Sequence, residues 1–145
     1  MFFGYIGLIP GIFFGDLWVK NHIEKHGTEK DGKIILIRKH HNRGAVLNLG
    51  QNHSRVVAGV SVMLCMALAV VFLCSLGHRG NSLLRAGLAF LLGGAFSNTY
   101  DRLKRKYVVD YFSFHVKWKW LRRIVFNLSD FCILIGALLI VLGTS

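Results

Sequence analysis

From Val56 to Leu76 the chain carries no charged side chain. A helix rises about 1.5 Å per residue and the hydrocarbon core of a bilayer is about 30 Å thick, so a run of this length can span it. Three further segments approach the same character: residues 2–19, 83–100 and 124–143. Pro10-Gly11 predicts a kink in the first, because proline removes an intrahelical hydrogen bond. Arg85 stands near the start of the third, where a long side chain reaches the headgroups. The first segment lacks a basic n-region and a small-residue cleavage site, which argues against a removable signal peptide. With 53% hydrophobic residues and a mean hydropathy of +0.46, the chain is too apolar for an ordinary soluble domain. The expectation is a mainly α membrane protein, one integral domain over residues 1–145 with four transmembrane helices.

Two polar stretches separate these segments. In the first, residues 20–55, Lys33–Arg38 reads as a short strand after an Asp31-Gly32 turn. The His40-His41 pair that follows reads as solvated loop, since adjacent side chains diverge and no other metal ligand is near in sequence. In the second, residues 101–123, Phe112, Phe114, Val116, Trp118 and Trp120 alternate with polar residues, the period of an extended strand. Trp with Lys is also the mixture found at a bilayer interface. The two stretches thus predict a small interfacial β-sheet. An even number of spans puts both on one side of the membrane, and a tight polar connection at residues 78–82 joins the two spans between them. Each stretch holds about eight Lys or Arg, so charge counting alone places them in the cytoplasm. The net charge of +11 comes without any nucleic-acid motif, leaving anionic lipid headgroups as the counter-charge. Cys65, Cys74 and Cys132 all lie in apolar runs and fit no zinc or redox spacing; they read as small buried hydrophobes.

The acids carry more information. Of only seven, Asp16, Asp101, Asp110 and Asp130 lie in or at the ends of apolar segments. Glu24, Glu29 and Asp31 read as solvated loop charges. Ionisable groups at membrane depth mark functional sites by default. Asn98 and Asp101 are three residues apart on a helix and share a face, and Asn127 and Asp130 repeat the spacing. Asp16 and Lys20, four apart, suit an ion pair at a helix end. Asp101-Arg102 suits a local pair, and the two asparagines suit interhelical hydrogen bonds. Asp110 and Asp130 are harder to explain structurally, because an unpaired buried carboxylate is costly. If the ends of the third and fourth helices meet, these two converge. Two carboxylates in a low-dielectric site share one proton. The ionised member then activates water while the protonated one polarises a carbonyl, which is aspartic-protease chemistry. No zinc-protease motif and no serine or cysteine nucleophile beside a base is present.

At these residues the chain resembles signal peptidase II, the bacterial lipoprotein signal peptidases. The likeness is carried by Asp16-Leu17-Trp18-Val19-Lys20, Asn42-Arg43-Gly44-Ala45, Gly93 to Arg102, Val108 to Tyr111 and Phe126 to Asp130, in the family's order and spacing. The resemblance implies a membrane aspartic endopeptidase with Asp110 and Asp130 as catalytic dyad. Asp16, Lys20, Asn42, Gly44, Asn98, Asp101, Arg102, Asn127 and Ser129 follow as supporting or substrate-contacting positions. It implies diacylglyceryl-modified prolipoproteins as substrates, cut before the lipidated cysteine at the outer face of the bacterial cell membrane. That orientation opposes the charge count, and the denser motif evidence is preferred. A monomer in membrane lipid, no metal or other cofactor, and sensitivity to globomycin are also implied. The chain departs from the family pattern at Ser97 (Gly), Tyr111 (Phe), Ser129 (Ala) and over Val46-Leu47-Asn48. Ser129 adds a hydroxyl expected to reach Asp130. Two other classes fit intramembrane acids: a small ion-coupled transporter, which would spread charges through several spans, and a non-catalytic lipoprotein- or lipid-binding relative.

Overall fold

A computed structural model describes residues 2–27, 30–45, 49–77 and 81–144, with the backbone alone for Phe2, Phe3 and Asp31. Helix α1 (Phe2–His26) leads to strands β1 (Lys30–Asp31) and β2 (Ile35–Asn42). After a 3-10 turn at Gln51–His53 come α2 (Ser54–Leu76) and α3 (Ser82–Lys104), then strand β3 (Val108–Phe114), a short α4 (Lys119–Arg123) and α5 (Leu128–Thr144). The fold is mainly helical. Glu29, Val46-Leu47-Asn48 and most of the 78–82 connection lie outside the described residues.

Central to the bundle is α3, packed against α1, α2 and α5. Its junction with α5 runs on small residues. A Cβ on Gly87 would lie 2.7 Å from the Gly136 carbonyl oxygen, and one on Gly136 would lie 2.6 Å from that of Gly87. Close backbone approach of this kind replaces hydrophobic driving force between helices in lipid. Asn81 fastens the far end. It caps α3 by accepting from Leu84 N at 2.9 Å and donates to Gly143 O at 2.6 Å.

The burial pattern is inverted relative to a soluble domain. Met63, Leu64, Met66, Val70, Val71 and Leu73 of α2 are exposed, as are Leu134, Ile135, Leu138, Val141 and Leu142 of α5. The interior meanwhile holds Asp16, Lys20, Asp101, Asn127 and Ser129. Contiguous exposed apolar surface on this scale marks contact with lipid or a partner. Where four spans are expected, one helical stretch among the described residues, Gln51–Leu76, is long and apolar enough by itself to cross a membrane. The apolar α5 has only 17 residues, while α1 and α3 carry charged and polar side chains.

The sheet has the order β1-β2-β3 and joins the two polar stretches, so both lie at one end of the bundle. Both strand expectations need correction. Strand β2 runs on to Asn42, since its register with β3 continues through a bulge to His40↔Asp110, His41↔Val109 and Asn42↔Val108. Strand β3 stops at Phe114, opposite Ile35, the first residue of β2. Only His115 N→Ile34 O, at 2.7 Å, continues the ladder. Without a pairing partner, Trp120 falls in α4, outside any strand. The last helix starts at Leu128, after Phe126 has bridged to Phe112.

Candidate functional site

Three local devices bring Asp110 and Asp130 together. The first is the Phe112–Phe126 bridge, with hydrogen bonds Phe126 N→Phe112 O at 2.7 Å and Phe112 N→Phe126 O at 3.0 Å. Stacking of Phe112 on Phe131, centroids 4.8 Å apart, backs it from α5. The second is a capping box, the reciprocal pattern that closes a helix start. Asp130 N donates to Asn127 Oδ1, and Asn127 N donates to Asp130 Oδ2, both at 3.0 Å. Asn127 is therefore the N-cap of α5 and lies outside the helix. The third is the end of β2, which places Asn42 across from Val108 and within hydrogen-bonding reach of Asp110.

A carboxamide layer links the two acids. Asn127 Nδ2 donates to Asp110 Oδ1 at 2.8 Å and to Asn98 Oδ1 at 3.2 Å. Asn98 Nδ2 donates to Asp130 Oδ1 at 3.0 Å. Burial, and then the charge of Asp130, push the Asp110 carboxyl up to about 7, against hydrogen bonds from Asn127 and Asn42 and the Lys20 charge. Arg102 spans the same region. Its Nη2 donates to Gly44 O at 3.1 Å and its Nη1 to Asn98 O at 3.4 Å, while among the described residues its buried Nε has no hydrogen-bond partner. Arg102 is not the ion-pair partner of Asp101 that adjacency suggests.

Behind this layer lies a second charged centre. Asp16, Lys20 and Asp101 are all 0% exposed. Lys20 Nζ pairs with Asp16 Oδ2 at 2.8 Å and Asp101 Oδ2 at 3.2 Å, and donates to Asn98 Oδ1 at 2.9 Å. The Asp16–Lys20 pair thus sits at the heart of the bundle, away from any helix end. Asp101 also accepts from Val109 N at 3.1 Å, which ties α3 to the strand bearing Asp110. Ser129 does not reach Asp130. Its Oγ donates to Asp16 Oδ2, as does Ser97 Oγ at 2.6 Å, and Tyr111 OH donates to Asp16 Oδ1 at 3.2 Å. Burial, and then Asp16, raise the Tyr111 phenol, so it keeps the proton it donates. All three hydroxyls at described departures from the family pattern therefore converge on one carboxylate.

Two loop readings also change. Glu24 lies on α1, where it meets Lys39 at 3.4 Å and His41 at 2.7 Å, and His41 stacks on Tyr107. Tyr111 was legible only as a departure, although its hydroxyl also accepts from Leu128 N at 2.8 Å. Among the described residues no group of three or more His, Cys, Asp or Glu is arranged to hold a metal. Beside the site, Ile9, Phe13, Val62, Phe96, Thr99 and Leu103 help line an open apolar groove of about 530 Å³ between α1, α2 and α3.

The family described as "Signal peptidase (SPase) II" matches residues 8–145. A lipoprotein signal peptidase of Clostridium acetobutylicum is 35% identical over 68% of this chain and 62% of its own length. One of Moorella thermoacetica is 36% identical over 69% and 61%. The matched part is thus less than two thirds of those relatives. One of Mesorhizobium japonicum is 30% identical over 94% of this chain and 82% of its own length. A solved bacterial membrane enzyme superposes with a TM-score of 0.82 at 20% identity, over 97% of this chain and 87% of that one, a likeness of fold. On the family match, the chain is a mainly helical membrane protein that belongs to the signal peptidase II family.

Proposed function

We propose that this chain is an aspartic endopeptidase that removes signal peptides from diacylglyceryl-modified prolipoproteins, cutting before the lipidated cysteine. The observation that carries the reading is the joint hold of Asn127 on Asp110 and Asp130. Two acids fixed by one residue in a buried site share a proton and act as a unit. Asp110 takes the protonated role, as burial and the neighbouring carboxylate favour, and donates to the scissile carbonyl oxygen. Asp130 accepts from Asn98 Nδ2 and Asn127 N, which suits it to carry the charge and take a proton from the attacking water. Collapse of the tetrahedral intermediate returns a proton to the leaving amine.

Lys20 holds Asn98 by its oxygen and so aims its amide nitrogen at Asp130; it is a positioning residue. Arg102, whose buried Nε has no partner among the described residues, and Asn42 and Gly44 take the peptide backbone. The apolar groove beside Thr99 suits acyl chains. In this reading α1, α2, α3 and α5 are the four passes, and the sheet end faces outward from a bacterial cell membrane. The protein acts as a monomer without a cofactor and is sensitive to globomycin. The test is cleavage of a diacylglyceryl lipobox peptide by the reconstituted chain. Asp110→Asn and Asp130→Asn each abolish turnover, by at least about 10³-fold, with folding intact. Full activity in either variant overturns the assignment.

A further inference from the structure

The sheet end holds a second cleft that shares no lining residue with the Asp110–Asp130 site. Its volume is about 900 Å³, and its walls include Lys33, Arg38, His40, His115, Arg122 and Arg123, with Leu36 and Val125 as apolar surface. No acid lines it. Among the described residues Lys33, Arg38, Arg122 and Arg123 form no ion pair, whereas Lys39, next along β2, is paired with Glu24. Four exposed cations around one cleft raise its potential and favour a counter-anion there.

Position selects the anion. Arg122 and Arg123 end α4, and the apolar α5 begins five residues after Arg123, so the cleft opens where a span enters the bilayer. Trp118 and Trp120, 69% and 62% exposed, lie with Lys117 and Lys119 on the segment between the lining residues His115 and Arg122, and they are the residues of a membrane–water interface. Basic pockets at that depth bind anionic headgroups. The mixed lining matches a headgroup phosphate joined to its glycerol. We infer that this cleft binds an anionic phospholipid through its headgroup phosphate, and so fixes the sheet and α4 against the membrane.

The test uses the full chain in detergent with equimolar phosphatidylglycerol and phosphatidylcholine, with retained lipid read by native mass spectrometry. The chain is expected to retain phosphatidylglycerol over phosphatidylcholine by about tenfold, and Arg38→Gln/Arg122→Gln/Arg123→Gln brings the ratio near parity. A control with the same charge loss outside the cleft, Lys25→Gln/Arg55→Gln/Lys104→Gln, keeps the preference. Lys33→Gln, at an exposed bend, lowers it about threefold by itself, which tests the site without the risk of unfolding carried by the triple change. Unchanged preference in both cleft variants overturns the proposal. So does full displacement of the lipid by millimolar inorganic phosphate, the outcome for a site that takes free anions.

Discussion

A buried carboxylate with one cation and three hydroxyl donors is unusual enough to test residue by residue. Asp16 receives Lys20, Ser97 and Ser129 on Oδ2 and Tyr111 on Oδ1. Lys20→Met would leave Asp16 and Asp101 buried without their shared cation, a change that costs about 3–5 kcal/mol. Ser97→Ala, Ser129→Ala and Tyr111→Phe each remove one donor to a charged group, about 1–3 kcal/mol apiece. Because the two serines meet one oxygen, the Ser97/Ser129 double change is expected to differ from the sum of the singles. Denaturant unfolding in micelles measures all of these. Destabilisation below about 0.5 kcal/mol for every hydroxyl variant would refute the convergence. The sequence did carry this centre, in pieces: an Asp and a Lys four apart on one helix, and hydroxyls at three departures from a family pattern. Which acid those hydroxyls serve was not legible, since Ser129 lies beside Asp130 in sequence while its side chain turns toward α1.

Helix and strand identities followed from hydrophobic period, but element boundaries depended on contacts between distant residues. The start of α5 is set by Phe126 pairing with Phe112 and by the Asn127–Asp130 capping box, which has the same three-residue spacing as two residues on a helix face. Strand β2 extends past the apolar run because β3 supplies partners for His40, His41 and Asn42, whose side chains give no strand signal. The α3–α5 junction rests on Gly87 and Gly94, whereas Gly93 faces α1, where an added Cβ would stand 3.0 Å from Ile12 Cβ. At Gly94 an added Cβ would stand 2.5 Å from the Ser129 carbonyl oxygen and 3.0 Å from Ile133 Cγ1. Backbone cannot yield as a flexible side chain can, so Gly94→Val moves α5 and with it Asp130. That variant is expected to lose peptide cleavage at least tenfold and to lower thermal stability. Gly59, on α2 with open space around it, tolerates the same valine. If Gly94→Val cleaves as well as Gly59→Val, close helix approach does not position the site.

At the scale of the whole molecule, an apolar exterior around a polar interior makes proton uptake a property of the fold. The Asp110 carboxyl rises from 3.8 to about 7 because it is buried beside Asp130. Between those two pH values the folded chain holds a proton that the unfolded chain has released. Stability therefore falls as pH climbs through that window, by at most a few kcal/mol. The contribution is complete below about pH 4 and lost above about pH 7. Asp110→Asn removes the titrating group and flattens this part of the profile, as denaturant unfolding in micelles from pH 4 to 8 would read. Cleavage should obey the same proton. If Asp110 donates to the scissile carbonyl, kcat on a lipobox peptide declines above about pH 7 as that carboxyl ionises. A profile that keeps rising to pH 9 assigns the proton elsewhere. Sequence alone singled out the two acids, but the direction of this pH dependence required their burial and their approach to one another, which arise only when β3 and α5 meet on α3.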